Sequence, residues 1–361
     1  MNKDWEFKHE EKLKMAQGQK LIGKLGRETT LADAFIDDNS KMQDKLKDFL
    51  TGKIKRGYKV GVEAFDNHFA FKKNEFYVMT GKKGSGKTTI NQALQVMASI
   101  VNDLIWVVAF QENENWAMRL NYMNFLLGDN ANYILKAEPK RYKIVSDWID
   151  KHFIFLNVDT LSEALDMTEN LIENGTDVYG LVLDPVNSFE NDLGDGGNSY
   201  SDGVKSGQHL LKYSLNVCSI FLNQHPIMSG QRQQGAITSY DGEGGWFLNK
   251  ASFTYVINRE DGNNNELIVE NVRNRHTGGN STDKENPVII EWFPTKINIR
   301  YKDGSFSSEN VIQAMIMKHK PFVYDGMEKQ AKQISDAEFD RTIPNATVTE
   351  AFGDDKSDVP F

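Results

Sequence analysis

The sequence predicts an α/β fold built on a central, mainly parallel β-sheet, and three observations support this. From Tyr58 to about residue 322, strand-like apolar runs alternate with helical stretches. The runs are almost continuously apolar, which is typical of strands covered by helices on both faces. A glycine-rich segment, GKKGSGKT, joins one of these runs to an amphipathic helix. A single α/β core of about 260 residues accounts for all three observations.

Five runs are predicted to form the parallel strands, and three later runs are predicted to extend the sheet as antiparallel strands. The parallel runs are FYVMT (76–80), LIWVVAF (104–110), HFIFLNV (152–158), YGLVLD (179–184) and VCSIFLNQ (217–224). The antiparallel runs are FTYVINR (253–259), ELIVENVR (266–273) and PVIIEWF (287–293). Helices are expected between the parallel strands. The helix that begins at Thr88 carries its apolar stripe at Leu94, Met97, Ala98 and Val101.

Three parts of the chain are expected. Residues 1–56 form an N-terminal extension that is rich in charged side chains and contains one amphipathic helix. This helix has Ser40 as its N-cap and Gly52 as its stop, and its apolar stripe is Met42, Leu46, Phe49 and Leu50. Either its own domain or a neighbouring subunit is expected to cover the stripe. Residues 57–325 form the α/β domain, and residues 326–361 are expected to form a flexible acidic tail.

Composition excludes several classes of protein. No apolar run approaches the ~20 residues that a membrane span needs, and no signal-peptide core is present, so a cytoplasmic location without membrane contact is expected. The single cysteine, Cys218, excludes a disulfide framework within the chain and a multi-cysteine zinc site. Its apolar surroundings predict a buried thiol. The net charge of −9 argues against nonspecific coating of nucleic acid, although a local basic groove remains compatible with it.

The glycine-rich segment matches the phosphate-binding pattern G-x-x-x-x-G-K-[ST] in full. Its residues are Gly81, Lys82, Lys83, Gly84, Ser85, Gly86, Lys87 and Thr88, and Thr89 follows in the helix. Glycines allow the backbone amides to wrap a phosphate chain at the N-terminus of a helix. Lys87, which is expected to lie outside the core, would reach the β- and γ-phosphates, and the Thr88 hydroxyl would bind Mg²⁺. The segment therefore predicts a site for ATP and Mg²⁺.

Polar side chains follow or end three of the predicted strands, and parallel strands bring such ends to one edge of the sheet. Asp184 ends YGLVLD and is predicted to hold Mg²⁺ directly or through water. Glu112 follows LIWVVAF and is predicted to orient the attacking water, with Glu114 as the alternative. Gln224 ends VCSIFLNQ, and its amide is predicted to contact the γ-phosphate.

The order of these parts resembles the motor of the DnaB-type (superfamily 4) replicative helicases over about residues 57–295. The matching segments are GVEAFD (61–66), FQENENWAMRL (110–120), LDPVNS (183–188), FLNQHP (221–226) and VRNRHTGG (272–279). The resemblance implies a RecA-like fold and an ATP-driven, homohexameric ring that translocates on single-stranded DNA and opens forked DNA. It implies that Glu112 is the catalytic glutamate and that Arg273 reaches the ATP site of the neighbouring subunit. Asn271 replaces the family's accessory lysine, and Arg275 is the alternative source of that charge.

The same resemblance assigns two long polar segments, 187–207 and 225–245, to loops of a central DNA channel. Arg232 lies in the second, among glutamines, and is predicted to contact phosphates without reading sequence. Lys205 and Lys250 border the loops as further DNA contacts. The helix in residues 1–56 corresponds to the family's linker helix. This extension is too short for the family's primase or collar domain, which favours a phage-type protein.

The end of the chain, DDKSDVPF, resembles the acidic tip of bacterial single-stranded-DNA-binding proteins. Such a tip is predicted to recruit a primase, a polymerase or another replisome protein with a basic, partly apolar pocket. Two other functions fit the same motifs. One is a RecA-like recombinase that forms an open filament, and the other is an ATP-binding regulator or loader that is not a motor.

Overall fold

The computed structural model describes residues 20–22, 28–30, 39–51, 57–66, 71–194, 199–225, 250–259, 266–274, 288–299 and 310–320. The chain divides into two compact units, Met1–Arg56 and Gly57–Phe361. The predicted boundary between residues 325 and 326, and the acidic tail beyond it, lie outside the described residues. Within those residues, no helix is both long enough and apolar enough to cross a membrane.

The described residues of the first unit form a short antiparallel hairpin and one helix. Strands β1 (Lys20–Ile22) and β2 (Glu28–Thr30) pair with each other, and helix α1 spans Asn39–Leu50. The helix begins before Ser40, so Ser40 lies in its first turn and is not the predicted N-cap. Leu46 and Leu50 of the predicted apolar stripe are exposed. The hairpin escaped prediction because three-residue strands carry too little periodicity.

The second unit is organised around one large sheet. Its strands are β3 (Phe76–Gly81), β4 (Ile105–Phe110), β5 (Phe153–Leu156), β6 (Val178–Asp184), β7 (Ser219–Gln224), β8 (Phe253–Arg259), β9 (Glu266–Asn274), β10 (Val288–Phe293) and β11 (Lys296–Ile299). Among the described residues they form nine strands in the order β11-β10-β9-β8-β3-β7-β6-β4-β5. Strands β3 to β8 pair in parallel, and β9, β10 and β11 continue antiparallel. This arrangement confirms the predicted α/β fold with its central, mainly parallel sheet. The prediction that residues 253–259 form an antiparallel strand was wrong, because β8 pairs with β3 in parallel and only its pairing with β9 is antiparallel.

Helices pack against both faces of the sheet. They are α2 (Glu63–Asp66), α3 (Lys87–Asn102), α4 (Asn115–Leu127), α5 (Ala131–Ala137), α6 (Pro139–His152), α7 (Leu161–Glu173), α8 (Ser199–Asn216) and α9 (Val311–His319). Successive residues of β3 point into two different apolar clusters. Tyr77 and Met79 join the cluster formed with α3, α4, α6 and α9. Phe76 and Val78 join the cluster formed with α7 and α8. Coverage on both faces explains why the central strands are apolar throughout.

The prediction of one long loop is partly wrong. The segment 187–207 was expected to be an unstructured DNA loop, but α8 begins at Ser199, so its second half is helical. Lys205 therefore lies within α8 and does not border a loop. Glycine, serine and aspartate dominate the first turns of this helix, and these residues usually indicate a turn or loop.

Candidate nucleotide site

The glycine-rich segment forms a tight connection between β3, which ends at Gly81, and α3, which begins at Lys87. Gly86 has φ 91° and Gly84 has φ 74°, in the left-handed region that favours glycine. A Cβ atom on Gly81 would lie 2.4 Å from Ser85 Oγ, and one on Gly86 would lie 2.7 Å from Leu267 Cδ1. The connection leaves the first amides of α3 at the carboxyl edge of the sheet, where a helix N-terminus attracts an anion.

Lys87 is buried, with only 4% of its surface exposed. Its Nζ donates to the carbonyl oxygens of Gly81 at 2.8 Å and Lys82 at 3.0 Å, and it lies 3.1 Å from His225 Nδ1. Burial lowers the pKa of Lys87 to about 8, against the opposing effects of the Asp184 and Glu112 carboxylates. The expectation that this lysine lies outside the core was therefore wrong. Its three N–H groups have three acceptors, so Nδ1 of His225 is the unprotonated ring nitrogen.

Asp184 ends β6 and is 5% exposed. Burial raises the pKa of its carboxyl group to about 6, although the side chains of Thr88 and Asn223 both hydrogen-bond the carboxylate and oppose the shift. Asn223 Nδ2 donates to Asp184 Oδ2 at 2.7 Å. The Thr88 hydroxyl and the Asp184 carboxylate are thus two adjacent oxygen groups next to the phosphate-binding loop, and oxygen donors of this kind suit Mg²⁺.

The donor set also fits the way that Mg²⁺ binds beside a nucleotide. Within the part of the chain that the structure describes, no group of three or more His, Cys, Asp or Glu side chains is placed to hold a metal ion. Mg²⁺ in nucleotide sites takes one or two protein oxygens, and phosphates and water complete its octahedron.

The two candidate glutamates lie in different environments. Glu112 Oε1 lies 3.4 Å from His225 Nε2 and 3.4 Å from Ser188 Oγ, so it belongs to the same polar group as Lys87. Glu114 is the N-cap residue of α4, and its carboxylate accepts a hydrogen bond from the indole of Trp116. Only Glu112 of these two therefore faces the imidazole that contacts Lys87.

His225 is a site residue that was not predicted from the sequence. Its imidazole lies between Lys87 and Glu112, and its backbone N–H donates to Asn187 Oδ1 at 2.8 Å. Burial and the neighbouring Lys87 charge lower the pKa of the imidazole. Gln224, which is predicted to contact the γ-phosphate, is fully buried within β7 beside Thr80 of β3. The only signal for His225 was its place directly after a strand that ends at the nucleotide edge.

The structure describes only some of the residues predicted to contact DNA or the ATP site of a neighbouring subunit. Arg273 lies in β9 opposite Thr254, and its side chain is outside the described residues, as are Arg232 and Arg275. Lys250 precedes β8, where the N–H of Ser252 donates to the Phe76 carbonyl at 2.7 Å. This contact puts Lys250 near the start of β3, at the opposite edge of the sheet from the phosphate-binding loop. Lys205 of α8 is half-buried.

Comparisons with known proteins show a likeness in structure. No protein-family model matches the chain, and no curated protein matches it. The structure resembles the ATPase domain of a phage DnaB-like helicase with a TM-score of 0.57 and 14% sequence identity, over 75% of this chain and 98% of that one. It also resembles a DnaB-like replicative helicase whose structure concerns its interactions with primase, with a TM-score of 0.56 and 13% identity. That match covers 72% of this chain and 65% of the helicase. The resemblance predicted from the motifs is thus confirmed for the fold: the chain has the RecA-like α/β fold found in the ATPase domain of a DnaB-like replicative helicase.

Proposed function

We propose that the protein is an ATP-dependent DNA helicase that translocates on single-stranded DNA as a homohexameric ring. The observation that carries the proposal is the convergence of Lys87, Asp184 and Glu112 beside a phosphate-binding loop, in a chain with the fold of a DnaB-like ATPase domain. Asp184 ends one strand, Glu112 follows a second, and Lys87 begins the helix after a third, so the sheet brings together a metal ligand, a base and a charge for phosphates.

The residues divide the work of ATP hydrolysis. Backbone amides from Gly84 to Thr88 and the Lys87 ammonium bind the phosphates, and Lys87 exchanges its present acceptors for phosphate oxygens. Thr88 and Asp184 would hold Mg²⁺, which would supply positive charge to offset that of the phosphates. Glu112 orients the attacking water and accepts its proton. His225 stays beside Glu112 and keeps its carboxylate turned toward the loop.

Translocation requires residues from more than one subunit. Arg273 would enter the neighbour's ATP site, so loss of the γ-phosphate changes the geometry between subunits. Arg232, with Lys205 and Lys250 as weaker candidates, would contact the phosphates of the DNA strand. The helix in residues 1–56 would pack on the adjacent motor and help to close the ring.

Replisome partners are part of the proposal. One of the structures with this fold concerns a helicase and its interactions with primase. The aspartates and the terminal Phe361 of the acidic tail suit a partner pocket that is apolar and rimmed by basic residues. Deletion of residues 354–361 should leave ATPase activity and ring formation intact and weaken recovery of a primase or polymerase in a pull-down. Recovery of the same partners by both proteins would contradict the role of the tail.

Mixing two inactive variants tests the shared ATP site. In a ring of Arg273→Ala and Glu112→Gln subunits mixed in equal amounts, about a quarter of the interfaces carry an intact glutamate on one side and an intact arginine on the other. ATPase activity should therefore return. A mixture of Lys87→Met and Glu112→Gln is the matched control, because both defects lie on the same side of every site. Wild-type activity of Arg273→Ala alone would refute the role of Arg273.

Electron micrographs with an ATP analogue and single-stranded DNA separate the proposed helicase from the other two functions. Closed six-membered rings that unwind a forked duplex support the proposal. Open filaments that exchange strands indicate a recombinase, and monomers without DNA-stimulated ATPase activity indicate a regulator or loader. In a ring, Arg232→Ala should weaken DNA binding equally for all sequences and reduce the salt dependence of binding.

A further inference from the structure

We propose that Asn91, Gln95 and Tyr122 are positioning residues for the metal ligand Asp184, which they orient through a chain of buried hydrogen bonds. The chain also includes Asn223. The proposal rests on the proposed nucleotide site, and it assigns a role in Mg²⁺ binding to side chains of α3 and α4 that touch neither the phosphate-binding loop nor the metal.

The hydrogen bonds run without a gap from α4 to the end of β6. The Tyr122 hydroxyl donates to Gln95 Oε1 at 2.6 Å. Gln95 Nε2 donates to Asn91 Oδ1 at 2.9 Å, and Asn91 Nδ2 donates to Asn223 Oδ1 at 3.1 Å. Asn223 Nδ2 then donates to Asp184 Oδ2 at 2.7 Å. Four hydrogen bonds therefore connect the phenol to the carboxylate.

The direction of the chain follows from chemistry. An ionised carboxylate can only accept hydrogen bonds, so Asn223 must turn its NH₂ group toward Asp184 and its oxygen toward Asn91. That oxygen needs a donor, which turns the NH₂ group of Asn91 toward Asn223. The same requirement fixes the amide of Gln95 and makes the Tyr122 hydroxyl the first donor. In every one of these bonds the donated hydrogen thus points along the series toward Asp184, and hydrogen bonds aligned in this way polarise one another.

Burial makes the loss of any hydrogen bond in this series costly. All five side chains are at most 5% exposed, so water cannot replace a lost partner. A buried amide that has lost its hydrogen-bond partner destabilises the fold by the full free-energy cost of its desolvation. Asn91 and Gln95 occupy buried positions of α3, where apolar side chains would pack without this risk. Polar residues in such positions are expected where a function requires them.

The contact with Asp184 explains what the chain does. Because Asn223 holds Oδ2, rotation of the carboxylate is fixed, and the direction in which its second oxygen meets a metal is fixed with it. The series of hydrogen bonds starts at Tyr122 of α4, a helix that begins at Asn115, three residues after Glu112. It therefore also connects the metal ligand to the helix that follows the catalytic glutamate.

The Mg²⁺ dependence of nucleotide binding tests the proposal. The full-length variants Asn91→Leu and Tyr122→Phe are titrated with Mg²⁺ in the presence of a fluorescent ATP analogue. The half-saturating Mg²⁺ concentration should rise about tenfold for Asn91→Leu and about threefold for Tyr122→Phe, since Tyr122 lies two hydrogen bonds further from Asp184 than Asn91 does. Binding of the analogue without Mg²⁺ should stay as in the wild type. The double variant should resemble Asn91→Leu, because both changes break the same chain.

Ser99→Ala is the matched control. Ser99 is also a fully buried polar residue of α3, and its hydroxyl donates to the Leu104 carbonyl at 3.0 Å and accepts from Trp106 Nε1 at 2.8 Å. Its loss leaves a buried indole N–H without a partner, so a comparable loss of thermal stability is expected with no change in Mg²⁺ dependence. Gln92 is unsuitable as a control because it also hydrogen-bonds Tyr122.

The outcomes separate the two proposals. Wild-type Mg²⁺ dependence in Tyr122→Phe, or an equal shift in Ser99→Ala, would overturn the positioning role. Tyr122→Phe removes a single hydroxyl, so it decides the question even if Asn91→Leu does not fold. Absence of nucleotide binding in the wild type with Mg²⁺ would overturn the proposed function, and the positioning role with it.

Discussion

Replacement of Lys87 by methionine should abolish ATP hydrolysis and leave the stability of the protein almost unchanged. Methionine keeps the apolar stem of the side chain in its place between the loop and the sheet but carries no charge. Without the ammonium, the phosphate-binding loop loses its only side-chain contact to the β- and γ-phosphates in the proposed mechanism. Turnover should fall below detection, and the affinity for ATP should fall as well.

The expected effect on stability follows from the burial of Lys87. A pKa of about 8 instead of the ordinary 10.5 corresponds to a cost of about 3 kcal/mol for keeping the charged form in the folded protein. Methionine removes this cost. The Gly81 and Lys82 carbonyls and Nδ1 of His225 lose a donor, which costs about 1 kcal/mol each. The two effects nearly cancel, so the free energy of unfolding should change by less than about 2 kcal/mol.

Urea unfolding followed by circular dichroism, without nucleotide or Mg²⁺, measures the change in stability. Lys143→Met is the control, because Lys143 is an exposed lysine of α6 that pairs with Asp147 at 3.0 Å. This variant should match the wild type in both stability and ATPase activity. A loss of more than about 4 kcal/mol in Lys87→Met would show that the hydrogen bonds of the ammonium outweigh its burial. Retained turnover would refute the role of Lys87 in the nucleotide site.

Three further predictions concern single residues. Glu112→Gln should keep nucleotide binding and lower ATP turnover at least ~100-fold, since the amide cannot accept a proton, and unchanged turnover would point to another base. Gly86→Ala should cost about 2–3 kcal/mol in urea unfolding and Gly84→Ala only about 1 kcal/mol, because both have positive φ but only Gly86 would clash with Leu267. Burial raises the pKa of Cys218 to about 12, so the folded protein should resist thiol reagents at pH 8 and react after unfolding. Rising pH should favour unfolding above about pH 9, where the exposed thiol ionises and the buried one does not.

The sequence by itself determined the fold class, the eight predicted strands and the phosphate-binding loop. A strand covered on both faces must be apolar along its whole length, and this pattern is visible in any one segment. The loop is likewise contiguous, so the glycines that its backbone needs stand at a fixed spacing. The pattern failed where the signal was weak. Strand β11 has only four residues, and α8 begins with residues that are typical of loops.

Only the tertiary structure decided which side chains meet around the nucleotide edge. His225 lies 138 positions from Lys87, and Asn91 lies 132 positions from Asn223. These contacts exist because the sheet places β3 between β7 and β8, and β7 beside β6. The order of strands depends on the packing of the whole core, and no local period in the sequence encodes it. A buried hydrogen bond depends on that order to within a few tenths of an ångström, so its partners become known only when the sheet is assembled.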